Sequence, residues 1–528
     1  MDKKFVENRE QLMVFKNKSF LSNYLSTYLW QGISMVLGFL SMLIVIPLIT
    51  DDKIIYGIYS ICISTAMFLN YADLGFVSAG IKYAGESYAM GKVNDEIKFY
   101  GFSGFVLFTF ISIIAGLYLL FSFNPSILIN DIDNTEHLSI ASSLLFIQAI
   151  FSYNTVLQRY VSGVFQVRIK EYIFQKIHIV GSILKISSVF YFFSADNYDI
   201  VSYFLFCKIV EILVIVVGIF FISLKFKLFF SNYLSAFKFD KNVYNKSKKL
   251  AFSSLFTTFM WVLYYELDII VIGKLLGASA VAVYSISFLL MNFLRSLSSV
   301  IFSPFQNRYN HFIGLNDISG LKLLLIKVIL FSMPILVFPI ITIIFLSDNI
   351  ISTWVGKEYI ESSIILILLS INFMYGFLRQ PGANMLVTLV RIKEMYWINA
   401  VVTLVFWIGV FLTKDYLGIN SFAIFKLFSG TLITIFYLNF LVKFLNKKYF
   451  EFFKDTIFRI IFPIIIMTVF LLLIKDYLPE TKGTVNLIII IFTGGIVSLI
   501  GFVALYLSSS YYKNEFNHYA LRILKLNK

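Results

Sequence analysis

The chain is 528 residues long, 59% hydrophobic and only 14% charged, with 44 lysines and arginines against 30 acids and a net charge of +14. Soluble domains are about 45–50% apolar and about 25% charged, so this chain cannot cover a water-facing surface and most of it must face lipid. That excludes a large soluble catalytic domain. The positive excess, with no basic module apart from the apolar stretches, points to lipid headgroups rather than nucleic acid.

Apolar stretches of about 20 residues recur throughout, each long enough to cross a bilayer. In chain order they predict helices at 23–50, 56–79, 99–121, 138–161, 172–193, 200–221, 251–272, 281–303, 321–346, 362–388, 396–412, 420–442, 458–474 and 485–507. The expected fold is therefore an all-α polytopic membrane protein of about 14 transmembrane helices. Residues 1–22 are polar and basic, and the first apolar run is too long for a signal-peptide core, so it reads as an uncleaved span.

The loop charges test this series. Alternate loops carry clusters such as Lys3, Lys4, Arg9, Lys16 and Lys18, then Lys82, Lys92 and Lys98, and, between 222 and 250, Lys225, Lys227, Lys238, Lys241, Lys246, Lys248 and Lys249. The intervening loops hold Lys53, Lys274, Lys357, Lys414, Lys475 and Lys482. The bias is roughly five to one, as the positive-inside rule expects, and it places both termini in the cytoplasm.

Two short segments recur. Ile58-Tyr59-Ser60-Ile61 returns as Val283-Tyr284-Ser285-Ile286, and Val167-Arg168-Ile169-Lys170-Glu171 returns as Val390-Arg391-Ile392-Lys393-Glu394, at offsets of 225 and 223. Each offset equals six spans. The expected organisation is a cytoplasmic segment 1–22, an N-lobe 23–221 (helices 1–6), a cytoplasmic linker 222–250, a C-lobe 251–442 (helices 7–12), an extra helix pair within 443–507, and a cytoplasmic tail 508–528. Six being even, the two bundles run parallel, a layout that suits alternating access around a site between them. A duplicated scaffold without transport is the plainer reading.

Charges inside the spans are the chemically informative residues, because one at mid-membrane costs about 2.5–3.5 kcal/mol on insertion scales. Arg159, Lys176, Lys327 and Arg459 lie near helix ends, where long side chains snorkel. Arg295, Arg379, Lys185, Lys208 and Lys426 lie deeper, at about 12–21 Å from the inner face by helical rise. Facing inward, they would form a positive lining for an anionic group. Lys208 and Glu211 are three residues apart on one helical face, and mutual neutralisation is the competing account. For Arg295 and Arg379, ligand contact and structural ion pairing both stand. Asp73 and Asp268 are the candidate ion-coupling carboxylates. Pro381-Gly382 in the tenth helix reads either as an ordinary kink or as a hinge at the cavity.

Cys62 and Cys207 lie within apolar spans and read as small buried residues. His137, His178, His311 and His518 have no ligand spacing, so no metal site is expected, and no cofactor either. The sequence carries no phosphate-binding glycine loop, zinc-protease helix or nucleophile elbow. The chain reads as a non-enzyme driven by an ion gradient, membrane potential or substrate supply.

Pro47-Leu48-Ile49-Thr50, Tyr56-Gly57-Ile58-Tyr59, Asp73-Leu74-Gly75-Phe76 and Ile81-Lys82-Tyr83 with Glu86 resemble the opening of the Wzx-type polysaccharide flippases. Asp268 to Gly273, Leu276-Gly277 and Val281 to Tyr284 agree in the second half. These flippases belong to the multidrug/oligosaccharidyl-lipid/polysaccharide (MOP) exporter superfamily. The extra pair resembles its 14-helix members, such as the lipid II flippases. The resemblance implies two six-helix bundles around a cationic cavity in a bacterial inner membrane. It implies a substrate of undecaprenyl-pyrophosphate carrying an oligosaccharide unit, moved outward for O-antigen, capsule or exopolysaccharide assembly. A polysaccharide polymerase and a chain-length regulator are the implied partners, with membrane lipid. A diphosphate would suit the cations, since Arg offers bidentate contacts and Lys a point charge. The alternative is a multidrug exporter of the same superfamily, an ion-coupled antiporter, which should favour an acid-lined cavity.

Overall fold

The computed structural model describes residues 3–517 apart from Asp131, Asp133, Ala195 and Asp196, with the side chains of the first 22 residues outside that description. The basic side chains expected in the N-terminal segment, and His518, Arg522, Lys525 and Lys528 in the tail, therefore lie outside the described residues. The chain divides into two compact units, Met1–Val281 and Ala282–Lys528.

The first unit is built from α1 (Lys3–Ile49), α2 (Lys53–Met67), α3 (Phe76–Ala89), α4 (Val93–Phe123), α5 (Thr135–Phe151), α6 (Asn154–Val167), α7 (Glu171–Phe192), α8 (Ile200–Phe226), α9 (Phe230–Ala236), α10 (Lys241–Tyr265) and the opening of α11 (Asp268–Gly314). α1 packs along α7, α3 and α5 pack on α4, and α6 and α7 both pack on α8. Buried Phe99, Phe102, Tyr160, Phe165, Phe174 and Ile215 form the main core. A two-residue antiparallel ladder pairs Phe193 with Tyr198 between α7 and α8. The Tyr198 hydroxyl donates to the Ile49 carbonyl at 2.6 Å and ties this ladder to the end of α1.

The second unit holds the rest of α11, then α12 (Ile318–Phe345), α13 (Ser347–Trp354), α14 (Ser362–Met374), α15 (Gly376–Thr388), α16 (Ile392–Leu417), α17 (Asn420–Leu445), α18 (Tyr449–Asp455), α19 (Phe458–Ile474) and α20 (Thr484–Ser508). α12 is its axis, touching α13, α14, α15, α19 and α20. The extra pair α19–α20 packs into this unit. Phe502 meets Phe338 edge-on at 5.1 Å, and a Cβ on Gly501 would come within 2.4 Å of the Met467 sulfur. Lys327, expected to snorkel, reaches Glu515 at 3.0 Å.

Among the described residues ten helices are long and apolar enough to cross a membrane, or twelve if each bent pair counts as one span. This is an all-α multi-pass membrane protein. The difference from the expected series lies in backbone breaks that hydrophobicity does not register. The second expected span is α2 and α3 separated by a 3-10 turn, Phe68–Tyr71. The continuous stretch Thr258–Phe302 covers the seventh and eighth, with α11 broken at Gly277, whose φ is 82°. The fourth is α5 and α6, bent by 43°, and the tenth is α14 and α15, bent by 46°.

The turns after these two bent pairs share one geometry. The Ile169 amide donates to the Gln166 carbonyl and that of Lys170 to Phe165; the Val390 amide donates to Val387 and that of Arg391 to Leu386. Ile169 and Val390 both adopt positive φ, 54° and 57°. This is the helix-ending pattern usually made with glycine. It sets Ile169 on Val390, two residues out of step with the sequence match, which had set Ile169 on Ile392.

Candidate functional site

In the first unit the site begins with the close packing of α7 on α8. A Cβ on Gly181 would fall 2.5 Å from a Val214 methyl, so the glycine lets the two helices approach. One turn further along α7, Lys185 Nζ sits 2.9 Å from Glu211 Oε1 of α8. Lys208 Nζ approaches the other oxygen, Glu211 Oε2, at 3.6 Å, and also lies 5.1 Å from the Phe204 ring centroid. The expected neutralisation of Lys208 by Glu211 is present, with a second cation on the same carboxylate. Two ammonium groups share one carboxylate, leaving a surplus of one positive charge.

These groups line a cavity of about 280 Å³ inside the unit, together with Gln148, Asn154, Thr155, Gln158, His178 and Ser182. The α5–α6 break forms one wall. At Ser152 and Tyr153 the chain passes through 3-10 bonds, with Thr155 donating to the Ser152 carbonyl and Val156 to Tyr153. Interrupted helices at membrane depth occur where the backbone is buried in protein or lines a watery cavity. Gln148 is 1% exposed, and neither its amide oxygen nor its nitrogen has a hydrogen-bond partner among the described residues. The Asn154 amide nitrogen is in the same condition.

In the second unit Arg379 spans the α14–α15 break. Its guanidinium donates to the Asn372 side-chain oxygen at 3.0 Å and to the Asn372 main-chain carbonyl. A cation on a carbonyl at the end of α14 satisfies an acceptor that the break leaves open and complements the helix dipole. The tenth helix therefore bends at Tyr375, and Pro381 and Gly382 lie inside α15, whose interior they occupy without the main bend. The Asn372 amide in turn sits against α17, where a Cβ on Gly430 would fall 1.8 Å from its oxygen. Lys426, one turn earlier on α17, is buried, with its ammonium 4.8 Å from the Phe406 ring centroid and 5.9 Å from that of Phe288. Cation–π contacts of this kind contribute more when desolvated, up to about 2 kcal/mol. Arg295 is half-buried on α11.

Of the candidate carboxylates, Asp73 lies at the α2–α3 break, and its Oδ2 accepts the Val77 amide at 3.0 Å, capping the first turn of α3. Asp268 opens α11 and is fully buried. The structure thus gathers Lys185, Lys208 and Glu211 in one unit. It arranges Arg379 and Lys426 around α17 in the other. Sequence reasoning passed over Gln148 and Asn154 and read His178 only as no metal ligand, because an amide or imidazole in an apolar run carries no signal until neighbouring helices surround it. It also met Arg168 as part of a repeated segment. Arg168 forms a buried fork-to-fork pair with Glu96, at 2.6 and 3.1 Å, beneath the Tyr88 ring.

The helical fold is shared with solved structures of membrane transporters. No family model matches the sequence, and no curated protein matches it. Among solved structures it is similar to the lipid II flippase MurJ in an inward-closed conformation, at 19% identity and a TM-score of 0.65, over 90% of this chain and 98% of that one. It is also similar to an inward-facing multidrug resistance MATE family transporter of the MOP superfamily, at 12% identity and a TM-score of 0.58, over 78% of this chain and 94% of the other.

Proposed function

We propose that the protein is a flippase for undecaprenyl-pyrophosphate-linked oligosaccharide units, working by alternating access in a bacterial inner membrane for O-antigen, capsular or exopolysaccharide assembly. The observation that carries this reading is the cationic surplus. Two lysines share a single carboxylate beside a polar cavity in the first unit, and an arginine at a helix break and a buried lysine stand in the second. A charge buried in this way is costly and usually marks a substrate path. An acid-lined pocket would suit cationic drugs; this one suits an anion.

In this reading Arg295, Arg379, Lys185, Lys208 and Lys426 neutralise the diphosphate as it passes, and the polyprenyl tail stays in lipid. Arg379 keeps guanidinium donors beyond those given to Asn372, and such donors match phosphate oxygens. Asp73 and Asp268 are the ion-coupling candidates. Both termini are cytoplasmic, and a polysaccharide polymerase and chain-length regulator act next on the product.

The test is transport of undecaprenyl-pyrophosphate-linked saccharide in proteoliposomes containing the full chain. Lectin-accessible product should appear with the wild type and be lost with Arg379→Ala. Export of cationic dyes instead, untouched by the arginine change, would move the assignment to a multidrug exporter.

A further inference from the structure

The cavity in the first unit has more polar structure than a diphosphate requires. A phosphate is satisfied by donors and cations. Here the wall includes Gln148, 1% exposed, which offers a donor and an acceptor with neither used among the described residues. Asn154 adds a second buried donor without a partner, and Thr155 and Ser182 add hydroxyls. Burying an amide without hydrogen bonds costs about 1–3 kcal/mol, so such a group normally has a partner, and here the cavity is where one can enter. Groups that both donate and accept are the complement of hydroxyls. At the other end of the same cavity stand Lys185 and Lys208 with Glu211, a net charge that one monoanion would neutralise. Phe151 supplies an apolar surface, and the volume of about 280 Å³ is near the lower end for small-molecule pockets.

We infer that this cavity is a binding site for a sugar ring bearing an oxyanion, with Gln148 and Asn154 reading its hydroxyls and the Lys185–Lys208 pair holding its charge. The inference rests on the flippase reading and deepens it. The substrate is recognised through an acidic sugar inside the first unit as well as through its diphosphate. The anion is either the carboxylate of a uronic acid or a phosphate joined to the sugar. A site built to bond hydroxyls rejects ligands that lack them, because its own buried polar groups are then left unpaired.

The experiment uses the full chain in lipid nanodiscs and calorimetric titration with four probes: D-glucuronate, glucose 1-phosphate, D-glucose and inorganic phosphate. Glucuronate or glucose 1-phosphate should bind at least tenfold more tightly than glucose or phosphate, and the better of the two identifies the anion. Gln148→Leu should weaken that probe about tenfold while leaving the weak phosphate binding unchanged, which also reports that the variant is folded. Equal binding of all anions, or an unaltered titration in Gln148→Leu, would overturn the inference and leave the cavity to water. Native mass spectrometry of the same nanodiscs with undecaprenyl pyrophosphate separates the two readings. If the lipid binds and neither sugar anion does, only this inference fails. If the lipid does not bind, the flippase reading fails whatever the sugars do.

Discussion

Lys185 and Glu211, 26 residues apart, meet at 2.9 Å across the α7–α8 contact, and Lys208 shares the same carboxylate. Removing the carboxylate leaves two neighbouring ammonium groups without their counter-charge. Glu211→Gln should therefore lower stability by about 2 kcal/mol, between the values for exposed and buried pairs. Adding Lys208→Met should restore much of it. Thermal melting in detergent checks both, and a Glu211→Gln protein as stable as wild type would contradict the shared-carboxylate arrangement.

Arg379 holds two oxygens of Asn372 from two nitrogens of one planar fork, a geometry that a lysine's single ammonium does not reproduce. Arg379→Ala should abolish surface polysaccharide in cells that depend on this protein, with protein levels intact. Arg379→Lys should recover only part of it. Arg295→Ala should behave as Arg379→Ala does. Wild-type polysaccharide from both alanine variants would remove them from the substrate path.

Gly430 leaves no room for a side chain beside Asn372. Gly430→Ala places a methyl where the Asn372 oxygen now sits, so Asn372 must move and Arg379 loses its anchor. Overpacking of this kind costs about 1–3 kcal/mol. The expected result is a lower melting temperature together with reduced transport, whereas Gly116→Ala, with nothing within 4 Å of its Cβ, should lower neither.

Glu96 and Arg168 are both buried, with side-chain exposures of 0% and 6%. Arg168→Ala should destabilise the first unit by about 3–5 kcal/mol, because a carboxylate is left buried alone. Glu96→Gln combined with Arg168→Met should be substantially more stable than Arg168→Ala. Chemical denaturation of the purified variants gives the comparison.

Ile169 and Val390 hold a left-handed backbone that costs an L residue about 1–2 kcal/mol and glycine almost nothing. Part of that gain is offset by the greater freedom of glycine in the unfolded chain. Ile169→Gly and Val390→Gly should each stabilise by about 0.5–1 kcal/mol, read as a small rise in melting temperature. A fall at either position would argue that its side-chain packing outweighs the strain.

Sequence alone determined the class of the protein. Apolar length and sparse charge leave few solutions other than helices in a bilayer, and both are properties of composition along the chain. The same reasoning picked out Arg379, Lys185, Lys208 and Lys426, because a charge in an apolar run is costly wherever it ends up. Tertiary structure decided what each charge touches. Lys185 finds Glu211 only because Gly181 lets α8 come close, and Arg379 finds Asn372 only because the tenth helix breaks at Tyr375 rather than bending at Pro381. A helix break depends on what packs around the freed backbone groups, and hydropathy averages over it. For the same reason the amide of Gln148 is silent in the sequence. It becomes a site feature when α5, α6, α7 and α8 close around it and water can no longer satisfy it freely.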